Sequence, residues 1–253
     1  NQDISNWDVS SVTNMGGMFY GSKFNQPLNN WNTKSVKSTG FMFSGKLFNQ
    51  PLNNWNIENI TNMEGMFQNT PFNQPLDNWN TDMIRDMLRL FEGSQFNQDI
   101  SNWNVENVTN MFGIFGGTPF NQPLNDWNVE NVTNMKEMFG SSAFNQPLDK
   151  WSDKLNNVKS TVAMFGNFNY YTFNQDFNSW NLPNVTDMRS MFENCYYLQD
   201  NSGFVEKIKP GTFITNMFSN TSRDLSDSEA VLQNYSNRLL IKGFPEGIIL
   251  KAD

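Results

Sequence analysis

Seven tryptophans, Trp7, Trp31, Trp55, Trp79, Trp103, Trp127 and Trp151, stand 24 residues apart. An interval kept over that length admits little besides a tandem array of one supersecondary unit. An eighth, Trp180, follows Trp151 by 29 residues, with two of the extra residues before Met164 and three between Phe165 and Phe173. From Phe120 the unit reads F-N-Q-P-L-N-D-W-N-V-E-N-V-T-N-M-K-E-M-F-G-S-S-A, and near copies begin at Phe24, Phe48, Phe72, Phe96 and Phe144. Repeat positions below are numbered from that Phe.

Apolar side chains fall at positions one, five, eight, ten, thirteen, sixteen, nineteen and twenty, as in Phe120, Leu124, Trp127, Val129, Val132, Met135, Met138 and Phe139. Trp127 and Val129 share the parity of a strand face, whereas Met135, Met138 and Phe139 have the i, i+3, i+4 spacing of a helical stripe. Thr133 and Asn134 are placed to cap that stripe, and Gly and Ser after Phe139 to end it. One unit cannot bury eight apolar side chains alone, so neighbours must stack. The expectation is an α/β repeat solenoid, leucine-rich-repeat-like, of about eight 24-residue coils, each with a short parallel strand and a short helix. Residues 1–192 hold the array. Residues 193–253 read as a degenerate last coil and a C-terminal cap, with a helix expected over Asp227 to Leu240.

Composition removes several functional classes. With 23 Phe and 8 Trp a core is assured, so disorder is excluded. There is no His and one Cys, Cys195, which leaves no Ser-His-Asp or Cys-His catalysis, no ordinary zinc site and no intrachain disulfide. A formal charge of -8 and a pI near 4.6 oppose nucleic acid and anionic membranes. No apolar run is long enough to span a bilayer. The carboxylates Glu58, Glu106 and Glu130 recur at position eleven as solvated groups, with no unlike pair of the kind a glycosidase needs. No enzyme activity, cofactor or metal is expected. The chain starts in mid-repeat, and a surface anchor is expected in a segment outside it.

The motifs F-N-Q-P-L-N-N-W-N and V-T-N-M-x-x-M-F closely resemble those of the BspA-type leucine-rich-repeat surface proteins of mycoplasmas and other bacteria, over Asn1 to Phe192. The resemblance implies a leucine-rich-repeat-like solenoid displayed at the cell surface as a lipoprotein or anchored protein, with adhesion as its role. Leu124, Trp127 and Val129 reproduce the opening of a leucine-rich motif, but Asn131 stands one position earlier than the Asn of that motif.

Two groups of residues are candidates for binding. The insertion brings Phe168, Tyr170 and Tyr171 together, and one coil later Tyr196 and Tyr197 occupy the corresponding corner. Four of the 6 Tyr thus converge on adjacent loops, where they serve either as a recognition centre or as a seal on the end of the array. Flanking the Trp column on the outward strand parity are Asn30, Asn32, Asn54, Asn56, Asn78, Asn80, Asn102, Asn104 and Asn128. This amide field either binds a glycan or only joins the coils. The tryptophans themselves are read as core rather than as a sugar platform. Finally, substitutions gather where the expected helix faces outward: Glu64, Leu88 with Arg89, Phe112, Lys136 with Glu137, and Arg189. The reading is a non-enzymatic surface module that binds a protein or glycan. Its alternatives are a structural spacer or variable coat antigen, and a glycan-binding scaffold of a larger enzyme.

Overall fold

The structure, a computed structural model, describes residues 1–166, 173–221, 238–240 and 242–244. The backbone of each repeat lies on that of the next in parallel. A single column of parallel bridges joins Asn14, Ser38, Asn62, Asp86, Asn110, Asn134, Ser160, Asp187 and Phe213, all but the last from position fifteen. Around this column the hydrogen bonds alternate. Met111, Gly113, Phe115 and Gly117 donate their N–H groups to carbonyls of the following coil, at Asn134, Lys136, Met138 and Gly140. The N–H groups between them close turns inside the coil, from Ile114 to Met111, Gly116 to Gly113 and Thr118 to Phe115. Every second amide therefore bonds along the stack, and the others bend the chain.

The short helix and short strand expected in each coil do not form in the described residues. At Met135–Met138 and again at Phe139–Ser142, i to i+3 bonds close two turns whose third residues, Glu137 and Ser141, have φ of 54° and 55°. Those values define type II turns, and a left-handed residue every fourth position cannot belong to an α-helix. The capping role expected of Asn134 survives in another form: its Oδ1 accepts the Lys136 N–H at 3.1 Å. The Trp-x-Val segment also lies outside any ladder, and position fifteen carries the bridge instead. The described residues form a 3-10 turn at Asp149–Trp151 and a helix, α1, at Ser202–Val205.

Side chains at the apolar positions stack in columns through one continuous core. Phe67, Phe91, Phe115 and Phe139 lie face to face at 5.7–6.0 Å. Each also stacks against the Phe that opens the next unit, as Phe115 does on Phe120 at 3.9 Å. Burial of the Trp column is borne out: Trp55, Trp79, Trp103 and Trp127 are all under 5% exposed. Each indole Nε1 donates to a carbonyl of the preceding coil, as Trp127 does to Ile100 at 3.2 Å. Trp7, with no coil before it in the structure, is 56% exposed. Position two adds a ladder on the opposite corner, in which the Asn97 Oδ1 accepts the Asn121 N–H at 2.9 Å and the Gln122 amide at 3.0 Å.

Stacking continues beyond Phe192, whose N–H donates to Met217 and whose ring lies 5.7 Å from Phe218. The helix expected over Asp227 to Leu240 falls outside the described residues except at 238–240, which are helical.

Candidate binding face

The paired turns decide which positions reach solvent. Positions nineteen and twenty point inward as the Met and Phe columns, so side chains at seventeen, eighteen and twenty-two reach the outside, while twenty-one is buried in Ser44, Gly116 and Gly166 and half-buried in Gln68, Glu92 and Gly140. The residues that vary at seventeen and eighteen, Glu64, Leu88, Arg89, Phe112, Lys136, Glu137 and Arg189, consequently share one face, although it is built of turns and not of helices. Its centre is the half-buried ring of Phe112. The Arg89 guanidinium lies 4.8 Å from that ring and the Lys136 ammonium 5.2 Å, one contributed by each adjacent coil. Arg89 also reaches Glu92 at 3.5 Å, and Lys136 reaches Glu137 at 3.6 Å.

Beside this ridge runs an open groove of about 570 Å³ that crosses six coils from Asn69 to Glu193. Its floor is small: Gly93, Gly116, Gly117, Gly140, Ala163 and Gly166. Local geometry keeps it so. Position twenty-two is left-handed in Gly93 and Gly117. At position twenty-one a Cβ on Gly166 would come within 2.9 Å of the Ser190 carbonyl oxygen. Glu92, Glu137 and Glu193 line it, and among the described residues neither Lys nor Arg does.

Two carboxyls of the face are shifted in opposite directions. Desolvation, with the Asp86 charge adding to it against a counteracting Arg89, raises the Glu64 pKa above its usual range. Asp187 is held below the usual range chiefly by the side-chain hydrogen bond of Arg189, which grips both carboxylate oxygens at 2.9 and 2.7 Å. Cys195 is wholly buried, which pushes its thiol up, and its Sγ donates to the Phe165 carbonyl at 3.3 Å.

Phe168, Tyr170 and Tyr171 lie outside the described residues. Tyr196 and Tyr197 form the centre of a turn closed by the Leu198 N–H on the Cys195 carbonyl at 3.1 Å, with Tyr197 43% exposed. That turn begins two residues beyond Glu193, at one end of the groove.

The amides flanking the Trp column are outward, Asn128 half-buried and the rest exposed, but they do not lie on a strand. Asn32, Asn56, Asn80, Asn104 and Asn128 use their Oδ1 atoms to accept the backbone N–H two residues on, as Asn56 does from Glu58 at 3.0 Å. Asn102 donates to the Asp77 carbonyl and Asn104 to Asp82. The backbone N–H groups of Asn54 and Asn78 donate to Asn29 and Asn53 of the preceding coils. Asn30 and Asn32 are exposed beside Trp31. Much of this field therefore turns and joins the coils. The groove is not legible in the sequence because glycine carries no chemistry of its own; the glycines at positions twenty-one and twenty-two are the available signal.

Comparison with known proteins accords with the repetition. No curated protein and no solved structure matches the chain. Three successive, overlapping stretches, residues 1–72, 68–171 and 154–230, match the family described as Mycoplasma protein of unknown function, DUF285. Because those stretches take in nearly all of the stacked coils, the chain belongs to this mycoplasma repeat family.

Proposed function

We propose that the chain is a leucine-rich-repeat-like solenoid acting as a non-enzymatic binding module at a cell surface, with the turn face as its contact surface. The observation that carries this reading is a division of labour within the repeat. Core positions hold the same residue types from coil to coil, while seventeen and eighteen run through Glu64, Arg89, Phe112, Lys136 and Arg189 beside a continuous groove. An aromatic ring flanked by cations is the composition of interface hot spots. A glycan reading places contact on the amide field, and the spacer reading requires no contact at all.

The test presents the protein on beads to cultured host cells and to immobilised polysaccharides. Three double variants are compared: Arg89→Ala with Phe112→Ala, Tyr170→Ala with Tyr171→Ala, and Asn54→Ala with Asn56→Ala. The first is expected to lose at least about 2 kcal/mol of binding, roughly thirtyfold. If only the amide variant loses binding, the glycan reading replaces ours. If the unsubstituted protein binds no surface, the chain is a spacer.

A further inference from the structure

Resting on the surface-binding reading, we infer that the groove takes an extended polypeptide segment carrying Lys or Arg side chains. Length is the first argument. Six coils make five intercoil steps, and at about 4.8 Å each they span about 24 Å, the reach of about seven extended residues. The small floor admits a main chain along this length, since at Gly93, Gly116, Gly117 and Gly140 no side chain rises from it.

The second argument concerns which atoms are left to recognise an occupant. The N–H groups of Gly117 and Ser141 donate to Gly140 and Gly166, and that of Gly140 to Glu137. With these donors engaged within and between the coils, a guest cannot be added as another strand. Side chains must supply the contacts, and those with charge are Glu92, Glu137 and Glu193. The cations of the same face are engaged: Arg89 and Lys136 lie against Phe112 and also reach Glu92 at 3.5 Å and Glu137 at 3.6 Å, and Arg189 is clamped on Asp187. Glu193 makes no ion pair among the described residues. With Glu92 and Glu137 partly offset by Arg89 and Lys136, the groove keeps a net negative charge, centred on Glu193, along a neutral floor, which is complementary to a cationic peptide and repels an acidic one.

The test is fluorescence polarisation with labelled (Gly-Lys)4 and (Gly-Glu)4 at about 0.15 M salt, near physiological screening. The basic peptide is expected to bind and the acidic one not. Combining Glu92→Gln, Glu137→Gln and Glu193→Gln should weaken binding about tenfold or more, and Gly116→Leu, which fills the floor without changing charge, should do the same. A control triple, Glu58→Gln with Glu106→Gln and Glu130→Gln, removes equal charge away from the groove and should leave affinity unchanged. Thermal melts check folding, and if Gly116→Leu does not fold, Val162→Trp obstructs the same groove. Equal weakening by both triples, indifference to the filled floor, or no binding of (Gly-Lys)4 each overturns the inference. Cell binding measured on the same samples separates the two readings. Protein that binds cells but ignores the basic peptide removes only the peptide assignment, whereas protein that takes the peptide but binds no cell surface removes only the surface role.

Discussion

The Trp103 indole N–H donates to the Leu76 carbonyl oxygen at 3.1 Å, 27 residues back in sequence and one coil back in space. The same ring stacks on Trp79 at 6.1 Å and is 3% exposed. One side chain thus supplies both apolar contact and a buried donor. Trp103→Ala should cost about 3 to 5 kcal/mol in chemical denaturation. Trp103→Phe keeps an aromatic ring but removes one of the two donors to the Leu76 carbonyl, which still accepts the Trp79 N–H at 3.2 Å, and should cost about 0.5 to 1.5 kcal/mol beyond the lost area. A phenylalanine variant as stable as the parent would mean that this bond contributes nothing.

Glu64 and Asp187 predict opposite responses to pH. A carboxyl whose folded pKa is raised binds protons more tightly when folded, so Glu64 destabilises increasingly as pH rises from the usual carboxylate range through its raised value. Glu64→Gln should therefore stabilise at pH 7 and have a diminishing effect in acid. Asp187, lowered by Arg189, contributes stability above the ordinary Asp value that is lost as pH falls through its depressed one. Asp187→Asn should be destabilising at pH 7 and lose that effect in acid. Melting temperatures followed from neutral pH into acid check both signs.

Cys195 should not react with a thiol reagent in the folded protein, because its sulfur is wholly buried and desolvation disfavours the thiolate. Labelling should become fast only in denaturant, at a rate limited by opening of the coils around it. Rapid native labelling would show that this end of the stack opens easily.

Gly117 has a φ of 66°, and a Cβ there would stand 3.7 Å from the Gly93 Cα, an ordinary contact. Gly117→Ala should therefore lose about 1 to 2 kcal/mol, the cost of a left-handed L-residue, without a clash. Gly65→Ala meets the same backbone cost, and its Cβ would come 2.4 Å from the Phe41 ring. Its greater loss of stability on denaturation is the check.

The inward positions were legible because burial depends on side-chain spacing alone, whatever backbone carries it. Trp127 and Val129 are buried as their parity implies, without forming a strand. Met135, Met138 and Phe139 are buried as a helical stripe would be, yet paired type II turns bring the same three side chains inside. Periodicity could not separate these conformations. Gly65 and Gly113 at position eighteen, with Gly93 and Gly117 at twenty-two, argue against helix, since glycine there supplies left-handed backbone. Where Arg89 or Glu137 occupies the same conformation, residue type conceals it. The tyrosine cluster was legible only as composition, and of it the structure describes Tyr196 and Tyr197.

The bonds linking successive coils run both ways: Gly17, Phe41, Gly65, Arg89, Gly113 and Glu137 each give a proton to the coil that follows, while Lys37, Thr61, Arg85, Thr109, Thr133 and Lys159 give theirs to the coil before. Each coil therefore meets its neighbours with both donors and acceptors, giving forward along the turns and backward from the residue just before the bridge column. Coils joined by such a two-way ladder meet head to tail, the forward side of one on the backward side of the next.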